Sequence, residues 1–232
     1  MKAQSTLKRE IFLALKYTIP VMLGYIFLGI AFGLLFSNEG YGVLWAMAAS
    51  VFVYAGSMQF VMISLITAGA GILQTIMMTI FVNGRHLFYG LSFIEKYKDM
   101  GKAKPYMIFS LTDETYSVLL SMENHPDLNQ KRLMFLCSLF DQLYWITGSV
   151  LGSLVGQVIT FDTTGIDFSM TALFVVIVVN QWMEQKDHKP ALVGLFTSVI
   201  CLLVLGPDNF LLPSLILISL ILTGARKIWT TH

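Results

Sequence analysis

The chain has 232 residues, of which 56% are hydrophobic and only 12% are charged, and its formal net charge is +1. A soluble domain carries about 25% charged residues, and it needs a polar surface to stay in water. The composition therefore excludes an ordinary soluble domain and predicts an all-α, polytopic integral membrane protein. The near-zero net charge gives no indication of a nucleic-acid partner.

Apolar stretches follow one another along the whole chain. A helix needs about 20 residues to cross the hydrocarbon core of a bilayer. The stretches are Tyr17–Phe36, Val43–Ala68, Ile72–Phe93, Pro105–Ser121, Leu133–Ile159, Phe168–Trp182, Pro190–Leu205 and Phe210–Thr223. Because several are short, we expect about seven crossings (six to eight), with some segments re-entrant or broken. We treat residues 1–232 as a single transmembrane transporter domain.

The positions of lysine and arginine predict the orientation. They cluster at the N-terminus and at 96–104, 131–132, 186–189 and 226–227, whereas 37–42, 157–167 and 206–209 contain none. The positive-inside rule then predicts a multi-pass protein of the cell membrane with both termini in the cytoplasm. If the second, third and fourth stretches each cross once, the lysines at 96–104 lie outside. A re-entrant segment within Val43–Phe93, with a fourth stretch that does not cross, is the alternative.

Glycines recur at four-residue spacing in the first and fifth stretches, as Gly29-x-x-x-Gly33 and Gly148-x-x-x-Gly152-x-x-x-Gly156. Such patterns let two helices approach backbone to backbone. We interpret them as packing positions, and the alternative is a thin-walled path between helices.

The two halves of the chain also carry a weak repeat at an offset of 123 residues. The matched pairs are Gly29 with Gly152, Gly33 with Gly156, Glu39 with Asp162 and Gly42 with Gly165. Internal repeats are common in secondary transporters. Four matched pairs are as compatible with chance as with a true repeat.

Polar residues interrupt the second stretch, in the segment Tyr54-Ala-Gly-Ser-Met-Gln-Phe60. Gly56 and Ser57 weaken a helix at membrane depth, and Gln59 carries an amide that both donates and accepts. An unwound turn here would present backbone groups to a zwitterion, as discontinuous helices do in transporters. The alternative is that Gln59 forms an interhelical hydrogen bond.

The third stretch contains Val82-Asn-Gly-Arg-His-Leu-Phe-Tyr-Gly90. A cation such as Arg85 is costly in a membrane unless it faces protein, water or an anion. Its planar guanidinium suits a substrate carboxylate, whereas His86 titrates near neutrality and suits a coupling proton. Asn83 adds a further polar group. The alternative is that the stretch ends early and Arg85 reaches a membrane interface.

The fourth stretch contains two adjacent carboxylates, Asp113 and Glu114. Such a pair needs a partner at membrane depth, and we expect Arg85 to supply it. An interfacial helix with its acids in headgroup water is the alternative. Asp141 and Gln142 in the fifth stretch are weaker versions of the same signal. Metalloprotease, nucleophile-elbow, P-loop and paired CxxC motifs are absent, so we expect neither an enzyme nor a cofactor.

These segments together resemble the AzlC-type branched-chain amino acid permease family, also called azaleucine-resistance proteins. The likeness lies in Gly24–Gly33, Ala55–Phe60, Asn83–His86 and Thr112–Thr115, with later landmarks at Tyr144–Gly148 and Gly165–Met170. One departure is Gly84, which separates the asparagine from the arginine where the family has them contiguous.

The resemblance implies a secondary transporter that exports valine, leucine and isoleucine with a small, hydrophobic AzlD-type membrane subunit. In this reading Arg85 holds the substrate carboxylate, and Asp113 or Glu114 takes the ammonium group or a proton. Two other functions stay open, namely export of another small solute and a non-transporting scaffold for a partner subunit. The full set of expected substrate-binding residues is Ser57, Gln59, Asn83, Arg85, His86, Asp113 and Glu114.

Overall fold

A computed structural model of the chain describes residues 2–123, 125–158 and 187–206, and isolated residues between 168 and 224. The helices are α1 (Lys2–Asn38), α2 (Val43–Phe52), α3 (Gly56–Thr67), α4 (Ile72–Tyr97), α5 (Lys104–Phe109), α6 (Asp113–Ser121), α7 (Gln130–Val158) and α8 (Lys189–Leu205), with a short 3₁₀ turn at Gly101–Ala103. The described residues form helices and no strand, which confirms the all-α prediction.

Two helices in the described part are long and apolar enough to cross a membrane. They cover Thr6–Asn38 within α1 and Gln130–Val158, which is α7. The outer face of α1 is strongly apolar, with Phe27 69% exposed, as a lipid-facing surface requires. The expected number of about seven crossings is not confirmed by this part of the chain.

The second and fourth apolar stretches are broken rather than continuous. The second is divided between α2 and α3, of 10 and 12 residues. The fourth is divided between α5 and α6, of 6 and 9 residues. At 1.5 Å rise per residue, each piece is at most about 18 Å long and is too short to span the hydrocarbon core. The prediction of broken segments is therefore confirmed.

Glycines bring α1 and α7 into backbone contact. A Cβ atom added at Gly29 would lie 3.0 Å from the Ser149 nitrogen, and one added at Gly148 would lie 2.7 Å from the Ile26 carbonyl oxygen. A methyl group at Gly148 would overlap the backbone of α1, and one at Gly29 would fit only if the two helices moved apart by a few tenths of an ångström. The packing interpretation of the glycine patterns is confirmed.

An ion pair joins the two long helices near their N-terminal ends. Glu10 is completely buried, and its carboxylate accepts hydrogen bonds from the Arg132 guanidinium at 3.1 Å and from the Asn129 backbone N–H at 3.0 Å. The half-exposed Arg132 compensates the charge that Glu10 brings into the interior.

The chain divides into two compact units, residues 1–70 with 82–170 and residues 71–81 with 171–232. The first contains α1–α3, most of α4, and α5–α7. The described part of the second contains the start of α4, and α8. The single-domain expectation stays a prediction. So does the internal repeat, since Asp162 and Gly165 lie outside the described residues.

Candidate functional site

Two helix breaks lie beside each other within the first unit. Between α2 and α3 the chain leaves helical geometry at Val53–Ala55, and Tyr54 adopts a φ of 42°. Left-handed backbone is unfavourable for a residue with a bulky side chain, so the surrounding packing must hold it there. The Tyr54 ring lies 6.2 Å from that of Phe109, which ends α5 at the second break.

Side-chain hydrogen bonds stabilise both breaks. The Gln142 amide on α7 donates to the Val51 carbonyl at 3.2 Å, near the open end of α2. The Thr112 hydroxyl accepts from the Thr115 backbone N–H at 3.2 Å and caps α6. Helix ends expose backbone groups that need such partners. Specific side chains of this sequence therefore stabilise the two helix breaks.

A cavity of about 580 Å³ lies against both breaks. Its volume is in the range of small-molecule sites. The walls are mostly aliphatic and aromatic, and Asn83 and His86 of α4 and Lys104 of α5 supply polar groups. The lining residues are Val53, Tyr54, Ala55, Asn83, His86, Gly90, Leu91, Ile94, Tyr97, Lys104, Ile108, Phe109 and Leu111.

His86 connects the cavity to the start of α6. Its Nδ1 lies 3.1 Å from the Asn83 carbonyl oxygen, and a carbonyl only accepts, so Nδ1 carries a hydrogen. Its Nε2 lies 3.9 Å from Oδ1 of Asp113, and both side chains are 27% exposed. The structure thus brings together three of the expected residues: Asn83, His86 and Asp113. The side chain of Arg85, also on α4, lies outside the described part.

The remaining expected residues point elsewhere. Gln59 is completely buried; its amide oxygen accepts from the Trp145 indole N–H at 2.9 Å, and its nitrogen donates to the Ser50 hydroxyl at 3.3 Å. These bonds join α3 to α2 and α7, which is the interhelical role that the sequence left open. Ser57 is buried on the first turn of α3. Neither residue lines the cavity.

Glu114 begins a run of polar contacts that leads away from the cavity. Its Oε2 lies 2.7 Å from the Tyr25 hydroxyl, which lies 2.6 Å from the Thr112 hydroxyl. The Thr112 and Thr115 hydroxyls are 3.1 Å apart, and Thr115 lies 2.8 Å from Oδ2 of Asp141. These side chains belong to α1, α6 and α7, apart from Thr112, the residue that caps α6.

Asp141 is the deepest acid near the site, with no exposed surface. Its Oδ1 has no hydrogen-bond partner among the described residues. In the sequence Asp141 is only a weak candidate, and Tyr25 and Thr115 occur only within segments that resemble the family, because the importance of these residues depends on contacts between distant helices. Among the described side chains, no group of three His, Cys, Asp or Glu residues suits a metal ion.

Known proteins resemble this chain over most of its length. A family model described as AzlC protein matches residues 20–159. The chain is 38% identical to the branched-chain amino acid transport protein AzlC of Bacillus subtilis, over 92% of this chain and 84% of the relative. It is 39% identical to an uncharacterised membrane protein of Helicobacter pylori, over 92% of this chain and 94% of the relative.

A more distant relative is the inner membrane protein YgaZ of Escherichia coli, 24% identical over 79% of both chains. No solved structure matches the chain significantly. The names of these relatives agree with the apolar composition and with the two long helices.

Proposed function

This chain belongs to the AzlC family, and we therefore propose that it transports branched-chain amino acids across a membrane. The observation that supports the proposal best is the cavity at the two helix breaks. It combines a polar end with a largely aliphatic wall, which is the chemistry of valine, leucine and isoleucine.

The polar end of the cavity is suited to a zwitterion. Asn83 and His86 line it, Asp113 lies 3.9 Å from His86, and the breaks supply backbone polar groups. In the proposed complex, Asp113 attracts the substrate ammonium group and Arg85 holds the carboxylate. In other transporters, the helix ends at such breaks also point at charged groups of the substrate.

The aliphatic end of the cavity is suited to a branched side chain. Leu91 and Ile94 of α4 and Ile108 of α5 form this part of the wall. Removal of apolar surface from water stabilises such a complex by about 25 cal/mol per Å². A lysine side chain would lose hydration against these residues and would meet Lys104, another cation that lines the cavity, which disfavours lysine as a substrate.

The finer features of the proposal follow the family and the charge pattern. The chain works as a secondary exporter in the cell membrane, with both termini in the cytoplasm. A small hydrophobic subunit of the AzlD type assists it. Protons are the proposed coupling ion, because His86 lines the cavity and Glu114 begins the run of polar contacts beside it, and both side chains are titratable.

Efflux of labelled leucine from preloaded cells tests this function. Cells that express the chain with its proposed subunit are expected to lose leucine faster than cells with an empty vector. His86→Ala and Asp113→Asn are expected to reduce the rate at least tenfold, because each removes a group that contacts the substrate. Thr67→Val is the matched control, since that hydroxyl is exposed and bonds only the Ile63 carbonyl of its own helix.

Three results would contradict parts of the proposal. Normal efflux in both site variants would remove the binding roles while leaving transport intact. Competition by an unrelated solute but not by valine or isoleucine would assign a different substrate. If leucine efflux equals that of the empty vector both with and without the subunit, the chain is better explained as a non-transporting scaffold.

A further inference from the structure

The run of hydrogen-bonded side chains between Glu114 and Asp141 joins an accessible acid to a buried one. Glu114 lines a groove of about 480 Å³ on the surface of the first unit, together with Tyr25 and Ser117. Asp141 at the other end has no exposed surface. The three hydroxyl groups between them are those of Tyr25, Thr112 and Thr115, and each is at most 6% exposed.

This chain of contacts requires one more hydrogen than its hydroxyl groups supply. Its four oxygen–oxygen links measure 2.7, 2.6, 3.1 and 2.8 Å, all within hydrogen-bond distance. Each link needs one hydrogen, but each hydroxyl carries only one, so Tyr25, Thr112 and Thr115 supply three. With both acids ionised, one link is left with two oxygens and no hydrogen between them. The contacts therefore fit a state in which one carboxyl group is protonated.

Two arrangements place that additional hydrogen equally well. In one, protonated Glu114 donates to Tyr25, and the donation continues through Thr112 and Thr115 to ionised Asp141. In the other, protonated Asp141 donates to Thr115, and every hydrogen bond in the chain points the opposite way. Conversion between them moves one hydrogen across each link. Net transfer is a single proton, with no oxidation or reduction.

The surroundings of Asp141 are compatible with a proton as its partner. Its Oδ1 lacks a hydrogen-bond partner in the described part, although an ionised oxygen at this depth would need one. The described titratable groups that interact with Asp141 are all acidic or neutral: Tyr25 on α1, Tyr54 at the first break, Tyr106 on α5, Glu114 on α6 and Cys137 on α7.

We propose that Tyr25, Thr112 and Thr115 form a proton relay that carries one proton between Glu114 at the groove and Asp141 in the interior. Buried acidic groups take part in proton relays in membrane pumps and transporters. Asp141 is thus the buried proton-binding group, and the substrate cavity is separate from it. The biological role of this relay rests on the proposed transport function, whereas its chemistry does not.

Infrared spectroscopy of the purified chain in lipid tests the shared proton without any substrate. At neutral pH, the wild type is expected to show the C=O band of a protonated carboxyl group. Asp141→Asn and Glu114→Gln should each abolish it, because an amide N–H supplies the missing hydrogen and leaves the other acid ionised. Asp127→Asn, an exposed loop change, should leave the band unaltered.

Survival of the band in Glu114→Gln would show that the proton belongs to Asp141 alone and would overturn the relay. Absence of the band from the wild type would overturn it as well. Should Asp141→Asn fail to fold, Glu114→Gln still decides between the outcomes.

Transport in liposomes separates this inference from the proposed function. Thr115→Val is expected to retain leucine counterflow, which needs no net proton movement. Its rate of leucine uptake driven by a proton gradient is expected to fall at least tenfold. Thr115→Ser keeps the hydroxyl and should restore that uptake. Equal gradient-driven uptake in Thr115→Val and the wild type would refute the relay. Absence of counterflow in the wild type would refute the transport function, and the infrared test would then decide the relay.

Discussion

Enlarging glycines along α1 should destabilise the protein in the order that the backbone contacts with α7 dictate. A Cβ atom at Gly24 meets nothing within 4 Å, and one at Gly29 lies 3.0 Å from backbone atoms. One at Gly33 overlaps the Ser149 carbonyl and lies 2.6 Å from the Ser153 nitrogen. Backbone atoms in a packed helix cannot move aside as a flexible side chain can, so the two helices must separate.

The expected magnitudes follow from this series. Overpacking costs about 1–3 kcal/mol. Gly29→Ala, where a shift of a few tenths of an ångström suffices, should cost about 1 kcal/mol. Gly33→Ala should cost about 3 kcal/mol. Gly24→Ala should cost nothing and gain up to about 1 kcal/mol from the higher helix propensity of alanine.

Equilibrium unfolding of the purified chain in detergent, followed by tryptophan fluorescence, measures the series. Trp145 on α7 is a buried reporter close to the contact. If Gly33→Ala were as stable as Gly24→Ala, the reasoning that α1 and α7 meet backbone to backbone at this point would be wrong.

Two further changes test buried polar contacts. Trp145→Phe removes the indole donor to Gln59 and leaves a buried amide oxygen unsatisfied. In thermal unfolding, this single variant should be less stable by about 1–3 kcal/mol than the double variant Gln59→Leu with Trp145→Phe, in which neither polar group remains. Glu10→Gln keeps an acceptor for the backbone but removes the charge that Arg132 contacts, and should cost about 1.5 kcal/mol. A thermal midpoint for Glu10→Gln equal to that of the wild type would show that this ion pair does not hold α1 against α7.

The sequence was most informative where local chemistry determines structure. Gly56 and Ser57 indicated an interruption of the second stretch, and the break lies directly before them, at Val53–Ala55. The glycine spacing indicated close helix packing, and α1 and α7 meet there. Both features depend on the properties of residues a few positions apart.

The sequence was less informative where function depends on which helices meet. Adjacent acids in the fourth stretch gave no sign that Asp113 contacts His86 whereas Glu114 contacts Tyr25. Their side chains lie on different sides of α6, because successive residues of a helix are about 100° apart. Asp141 has no unusual sequence neighbours, and only the packing of α7 against α6 shows its depth.

Leucine binding to the purified chain tests whether the cavity at the two breaks holds the substrate. Gly90 lines this cavity, and a Cβ atom there meets nothing within 4 Å, so Gly90→Leu should fill the space without disturbing the fold. Gly84→Leu on the same helix is the matched control, because its position also has room and does not line the cavity. We expect labelled leucine, displaceable by valine and isoleucine, to bind the wild type and Gly84→Leu but not Gly90→Leu. Equal binding to all three proteins would show that the substrate binds outside this cavity.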